Sequence, residues 1–207
     1  MATSPFDRIY ADVRKDLPSV PEAVIKQELF RVMDDFTQHS NVWQEEIPFE
    51  IIPPNQSYIL STTEGRINRL LFCYDANAPT KYWPASGINM RIPGTITLFR
   101  VPGNAATWVA VVAKRTYDPV VATTLYPVID DWIVEKYADP IGRGVMARLQ
   151  FSPQKPWSNP MLAQPNQRAY LSGRAEARVN DGHGNVYNRQ AWVYPQGWAT
   201  SAKKGWT

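Results

Sequence analysis

Few side chains in this sequence are able to do chemistry. Histidine occurs twice, at His39 and His183, and cysteine once, at Cys73. A histidine serves as general base or metal ligand and a thiolate as nucleophile, but each needs partners at a workable spacing. The histidines show no His-x-x-x-His or comparable ligand spacing, a lone cysteine excludes an intramolecular disulfide and a cysteine-based zinc site, and no Gly-x-Ser-x-Gly elbow occurs. A catalytic triad assembled only by folding stays open. Carboxylates stand adjacent at Asp34-Asp35, Glu45-Glu46 and Asp130-Asp131. Neighbouring residues point to opposite faces of a strand and about 100° apart on a helix, so these pairs read as solvated faces rather than acid–base machinery.

Gly142-Arg143-Gly144 lacks the rest of a dinucleotide fingerprint, and its glycines are read as part of a kink. Asn180-Asp181-Gly182-His183-Gly184-Asn185 lacks the closing bidentate acid of a calcium loop and reads as a turn. Cys73, between Phe72 and Tyr74, reads as a small buried strand residue. No cofactor and no metal are expected, and the chain is not read as an enzyme.

The elements that hold these residues are clearer than the chemistry. Ile129, Ile133, Tyr137, Ile141, Val145 and Leu149 recur every fourth residue, which is one apolar face at helical period. Pro127 suits a first helical turn, and Pro140 with Gly142 and Gly144 predicts a break into two halves. Asn159-Pro160, a capping residue before a proline, predicts a further helix start, and Ala169, Gly173 and Ala177 give that helix a stripe of small residues. The stripe lets another backbone come close, with Trp132 or Tyr137 filling the remaining gap, so an antiparallel helical hairpin is expected.

Earlier in the chain, Ser4-Pro5-Phe6-Asp7 predicts a short helix to about Lys15, ended by Leu17-Pro18. Ser19-Val20-Pro21-Glu22 has capping-box spacing before Ile25, Leu29, Met33 and Phe36. From Trp43 the period becomes two, as in a half-buried edge strand, closed by Pro53-Pro54-Asn55. Strands are also predicted over 57–61, 66–74, 88–92, 95–101 and 107–115. The fold class is therefore α+β. A bundle of three to four helices is expected over 1–42 and 120–181, with an inserted antiparallel β-region over 43–119 and an extended C-terminal arm over 182–207.

With 207 residues, the chain is long enough for a real core. Its 18 prolines imply many turns, and its 8 tryptophans favour interfaces. Residues 140–207 hold nine Lys or Arg against Glu176 and Asp181, whereas residues 1–139 hold thirteen against seventeen acids. The basic end fits an acidic partner or a solvated face. No signal-peptide core or membrane-length apolar run is read, so a soluble protein made in the cytosol is expected. From Val186 onward no acid occurs, while Tyr187, Trp192, Tyr194, Trp198 and Trp206 alternate with Arg189, Lys203 and Lys204. Such an arm docks on a partner or folds back on its own domain, because several rings left in water cost solubility.

The order of features resembles the head-to-tail adaptor (tail tubular protein A-like) proteins of short-tailed bacteriophages. The resembling marks are Leu17-Pro18-Ser19-Val20-Pro21 before a helix, Phe36 and Trp43 at its exit, the β-insertion, the 127–149 helix, Lys155-Pro156-Trp157 with Ala163, and the aromatic arm. The resemblance implies a structural virion protein of the phage neck, assembled in the host cytoplasm. It implies a self-associated ring, typically a dodecamer, between portal protein and tail nozzle protein, which passes double-stranded DNA without reading its sequence. Ile129, Trp132, Ile133, Tyr137, Ala169, Gly173 and Ala177 would then pack subunits. Tyr187, Arg189, Trp192, Tyr194, Trp198, Lys203, Lys204 and Trp206 would form the portal-binding arm. Two other readings stand beside it. A glycan-binding or host-contact virion module would use Trp108 or Trp132, and a nucleic-acid binder would use Arg168, Arg174 and Arg178.

Overall fold

The computed structural model describes residues 4–116 and 126–182. The chain is α+β, with five helices and seven antiparallel strands among the described residues. Helix α1, Pro5–Asp16, starts on a capping box: the Phe6 N–H meets the Ser4 hydroxyl, and the Ser4 N–H donates to Asp7 Oδ2 at 2.9 Å. Helix α2, Glu22–Ser40, lacks the box predicted from Ser19. Pro21 is its N-cap, no side chain caps it, and Glu22 turns instead to Lys26, one helical turn on, at 2.6 Å. Its exit is Asn41 in the left-handed conformation (φ 60°), a region that asparagine tolerates at helix ends.

The predicted break in the four-spaced helix is present but lies earlier than Pro140. Helix α3 spans Asp131–Lys136 and α4 spans Ala138–Phe151, with Tyr137 between them at φ −112° and ψ 23°. A proline ring clashes with the carbonyl four residues back, so α3 must end before Pro140, which then occupies the first turn of α4, where a missing N–H is no loss. Pro127 stands outside α3, whose N-cap is Asp130. Gly142 and Gly144 are not at the break but inside α4. Helix α5, Pro160–Gly182, opens where Asn159-Pro160 predicts, with Asn159 Oδ1 accepting the Leu162 N–H, and runs on through Pro165.

All six members of the four-spaced face are buried, between 0% and 8% exposed, so that face is core. Helix α4 lies at the centre, packed by α1, α2, α3 and α5. Its Gly144 lets α2 and α5 close in: a Cβ there would stand 2.7 Å from the Tyr170 ring and 2.9 Å from Val32. Gly173 on α5 meets Pro140 in the same way, at 2.4 Å from its Cβ. The α4–α5 hairpin is further cross-linked by buried polar groups, with Asn166 Nδ2 donating to Gln150 Oε1 at 2.9 Å and Arg143 donating to Asn166 Oδ1 at 3.2 Å.

The β-part has its own core. Strands β1 (Gln44–Ile51), β7 (Ala106–Arg115), β3 (Arg66–Asp75) and β4 (Ala78–Tyr82) form one sheet in that order, and β2 (Ser57–Ile59), β6 (Thr95–Leu98) and β5 (Ile88–Ile92) form a second. β1 is an edge strand, as its alternation predicts: Ile47, Phe49 and Ile51 turn inward while Glu46, Pro48 and Glu50 face water. The opposite edge, β4, is absent from the sequence prediction. Side chains of β1, β3, β6 and β7 share one core across the two sheets.

A polar seam joins the helical and β-parts. Gln38 near the end of α2 offers its carbonyl to Asn68 Nδ2 at 2.9 Å and to Arg69 Nη2 at 2.7 Å, which satisfies an orphan helix carbonyl with a cation. Beside it the Lys114 ammonium lies 4.1 Å from the centroid of the buried Trp43 ring and 2.9 Å from Glu45. Among the described residues, no helix is long and apolar enough to cross a membrane.

Candidate interaction surfaces

The chemistry-bearing residues are placed for structure. Asp35 on α2 accepts hydrogen bonds from the Tyr170 hydroxyl and from Arg174 Nη1 at 2.7 Å, and His39 Nδ1 lies 3.3 Å from it. Burial, and then the bond to Asp35, push the Tyr170 hydroxyl strongly upward, so it stays a proton donor. Glu45 turns to Lys114 and Glu46 to the Tyr74 hydroxyl, at 2.9 Å each, so the two acids diverge as alternation in a strand requires. Cys73 is 1% exposed in β3, and burial pushes its thiol up to about 12. Asn180, Asp181 and Gly182 end α5 rather than forming a turn, and the remainder of that motif, with His183, lies outside the described residues. Among the described residues no group of three His, Cys, Asp or Glu is placed to hold a metal ion.

The residues expected to pack subunits separate into two sets. Ile129, Ile133, Tyr137 and Ala177 are buried in the chain's own helical core, where Tyr137 tilts against Phe36 with centroids 5.3 Å apart. Gly173 is occupied by Pro140. The first four hold the subunit's own core together, and Gly173, half-buried, is backed by the Pro140 ring. At Gly173 the gap that Trp132 or Tyr137 is expected to fill is closed by Pro140, while Tyr137 packs on Phe36 and Trp132 is 43% exposed. Trp132 and Ala169 are the two that face outward.

Ala169 belongs to a surface that the spacing argument missed. With Ala163, Asn166, Tyr170 and Ala177 facing inward, α5 leaves Met161, Pro165, Ala175 and Val179 exposed on its opposite side and Leu162 and Ala169 exposed on its flank. Met161 is 86% exposed, Val179 57% and Leu162 53%. Gln164, Arg168, Ser172, Glu176 and Arg178 are exposed among them, so apolar and polar residues alternate along this side. These exposed apolar residues were readable in the sequence, since α5 carries apolar residues beyond those its inner face needs.

Two expected features are corrected by position. Trp108 is 5% exposed in the β-core, edge-on to Trp83 at 4.6 Å, so it offers no platform for a sugar. Arg168, Arg174 and Arg178 do not line up: Arg174 is turned inward to Asp35, while Arg168 and Arg178 face solvent. The eight arm residues Tyr187, Arg189, Trp192, Tyr194, Trp198, Lys203, Lys204 and Trp206 lie outside the described residues. Just before them, Gln44 of β1 donates to Asp181 of α5, which ties the end of the last helix to the start of the β-part. Burial raises the Asp181 carboxyl to about 6.

The described residues form an α+β chain with several exposed apolar side chains on α5. Compared with protein-family models and with curated proteins, the chain matches none.

Proposed function

We propose that this protein is a structural virion adaptor that associates with copies of itself into a ring at the phage neck, between portal and tail nozzle, and lets double-stranded DNA pass without reading it. The observation that carries the reading is the outward face of α5. Met161, Leu162 and Val179 are each more than half exposed on one helix, with Trp132 and Phe151 at 43% and 45% on the same helical part. Isolated exposed apolar residues are ordinary, but several large ones on one helix, even as a strip broken by Arg168, Ser172 and Glu176, mark an association surface. A ring covers such a strip on every subunit with one repeated contact, and closure leaves no copy of it in water. The resemblance supplies the remainder, with the basic aromatic arm as the segment that grips the portal.

Native mass spectrometry of the full chain, alone and with the portal ring of the same genome, tests this. A discrete closed oligomer in the mixture is expected, lost when residues 186–207 are deleted. A chain that stays monomeric with and without portal sinks the proposal. Met161→Asp with Val179→Asp should block the oligomer while leaving the monomer folded.

A further inference from the structure

The outer face of the larger sheet is polar on one flank and aromatic on the other. A sheet with one face on a core ordinarily keeps polar side chains on the opposite face, and β1 does so with Glu46, Pro48 and Glu50. On β3 and β4 the same face carries three rings. Tyr74 and Tyr82 are a direct cross-strand pair, and Phe72, two residues from Tyr74, lies on their side of β3. The Phe72 ring meets Tyr74 with centroids 6.4 Å apart and meets Tyr82 edge-on at 5.6 Å. Phe72 is 43% exposed and Tyr82 60%. The patch has a charged border, because the Tyr74 hydroxyl reaches across β7 to donate to Glu46 Oε2 at 2.9 Å and so fixes a carboxylate beside the rings.

Helix α5 delivers the chain to this face. Gln44, two residues before Glu46 and therefore on the same side of β1, donates to Asp181 near the end of α5. The chain beyond Gly182 thus starts at one corner of the face. Pro48, Val109, Tyr74 and Tyr82 pair in one row, so Tyr82 lies three strands across and four residues along from Gln44. That diagonal is roughly 20 Å at ~4.8 Å per strand and ~3.3 Å per residue. Eight extended residues span about 26 Å, so counted from Asp181 the position of Arg189 commands the whole face.

We propose that residues 186–194 of the same chain dock on this face, with Arg189 against Glu46 and Trp192 against Phe72 and Tyr82. The two surfaces are complementary. The segment has no acid, and Arg189 stands among Tyr187, Trp192 and Tyr194, whereas the face offers exposed rings beside the outward carboxylates Glu46 and Glu50. An arginine meets a carboxylate with a two-pronged fork and stacks its flat side on aromatic rings. Ring against ring removes from water area that either surface alone leaves exposed. Because the segment is tethered at the corner, its effective concentration is in the millimolar range and a weak contact holds it. An arm held there is kept from other molecules until a partner of higher affinity takes it. The inference concerns the uncomplexed chain and does not rest on the ring reading.

Hydroxyl-radical footprinting of the full chain at low micromolar concentration, read by mass spectrometry, tests it. Deleting residues 186–207 should raise oxidation of Phe72 and Tyr82 on the order of threefold. Phe99, exposed elsewhere in the β-part, should oxidise equally in both proteins. Glu46→Arg and Arg189→Glu should each raise oxidation as the deletion does, and the two together should restore protection, a rescue that a loss of fold would not give. Equal oxidation in the full and shortened chains, protection untouched by either charge reversal, or no rescue in the pair overturns the proposal. Protection that grows with protein concentration overturns it as well, since it assigns the face to the arm of a second copy.

Discussion

Two glycines on the facing helices of the hairpin, Gly142 on α4 and Gly173 on α5, should answer the same substitution with opposite signs. In a helix interior, glycine to alanine stabilises by about 1 kcal/mol, because glycine has more backbone freedom to lose on folding. At Gly142 the added Cβ would find Ile9 at 3.7 Å, an ordinary contact, so Gly142→Ala should keep that whole gain. At Gly173 the Cβ would stand 2.4 Å from Cβ and 2.8 Å from Cγ of Pro140. Those atoms belong to a ring in the first turn of α4 and cannot swing aside, so α5 itself must move. Overpacking of this kind costs roughly 1–3 kcal/mol, which exceeds the propensity gain over most of that range and leaves a net loss of about 1 kcal/mol. For a chain of this length each kcal/mol moves the melting temperature by about 2–4 °C, so the two variants should bracket wild type by several degrees in all. Helical circular dichroism during thermal and urea unfolding reads both. A Gly173→Ala protein as stable as Gly142→Ala would refute the close approach of α4 and α5.

Three further outcomes follow from the buried polar groups. Lys114 has a side chain only 8% exposed, held by Glu45 and the Trp43 ring, so Lys114→Ala should cost about 3 kcal/mol by stranding Glu45, with Lys114→Met losing less because it keeps the packed stem; urea midpoints unchanged in both would contradict this. Asp181 holds its proton up to about pH 6 in the folded chain, whereas the unfolded chain loses it near 3.8, so stability falls as pH rises through that window and is flat above it. Asp181→Asn removes the window and keeps an oxygen for Gln44, so it should match wild type below pH 4 and exceed it by about 1 kcal/mol above pH 6, after discounting for partial exposure; a pH-independent difference would dismiss the assignment. Cys73, buried and with its thiol pushed up to about 12, should stay silent to a disulfide reagent at pH 8 until the protein is unfolded, and fast native labelling would contradict its burial.

Local patterns were legible in the sequence where one face of one element decides burial. The four-spaced series from Ile129 to Leu149 and the alternation from Glu45 to Ile51 each reach the core as read. Helix ends were harder. Ser19 and Glu22 have the spacing of a capping box, but Ser4 and Asp7 make one, because an equal spacing says nothing of where the preceding turn aims the hydroxyl. Strand β4 was missed because its exposed residues and Pro79 leave no alternation to find. The surfaces that matter most were the least legible. Tyr74 and Glu46 are brought together by the β1–β7–β3 order, across a strand from a later part of the chain. The role of Gly173 depends on Pro140, which belongs to another helix. Of the two tryptophans offered as a sugar platform, Trp132 is exposed and Trp108 is core, since a large ring alone carries no direction.

The two strands through which the chain enters and leaves the β-part lie side by side. β1 and β7 pair from Gln44↔Ala113 to Ile51↔Ala106, and the Lys114 N–H meets the Trp43 carbonyl at 2.7 Å just beyond the first pair. The helices therefore meet the β-part as two adjacent chain ends, a gap that a tight hairpin would bridge. A segment grafted between those ends would impose no spacing on its host, but it would have to replace the donors that Asn68 and Arg69 give to the Gln38 carbonyl. A load pulling the two parts asunder would open this ladder from one end, rung after rung, as a zipper, with the Trp43–Lys114 contact as its first tooth.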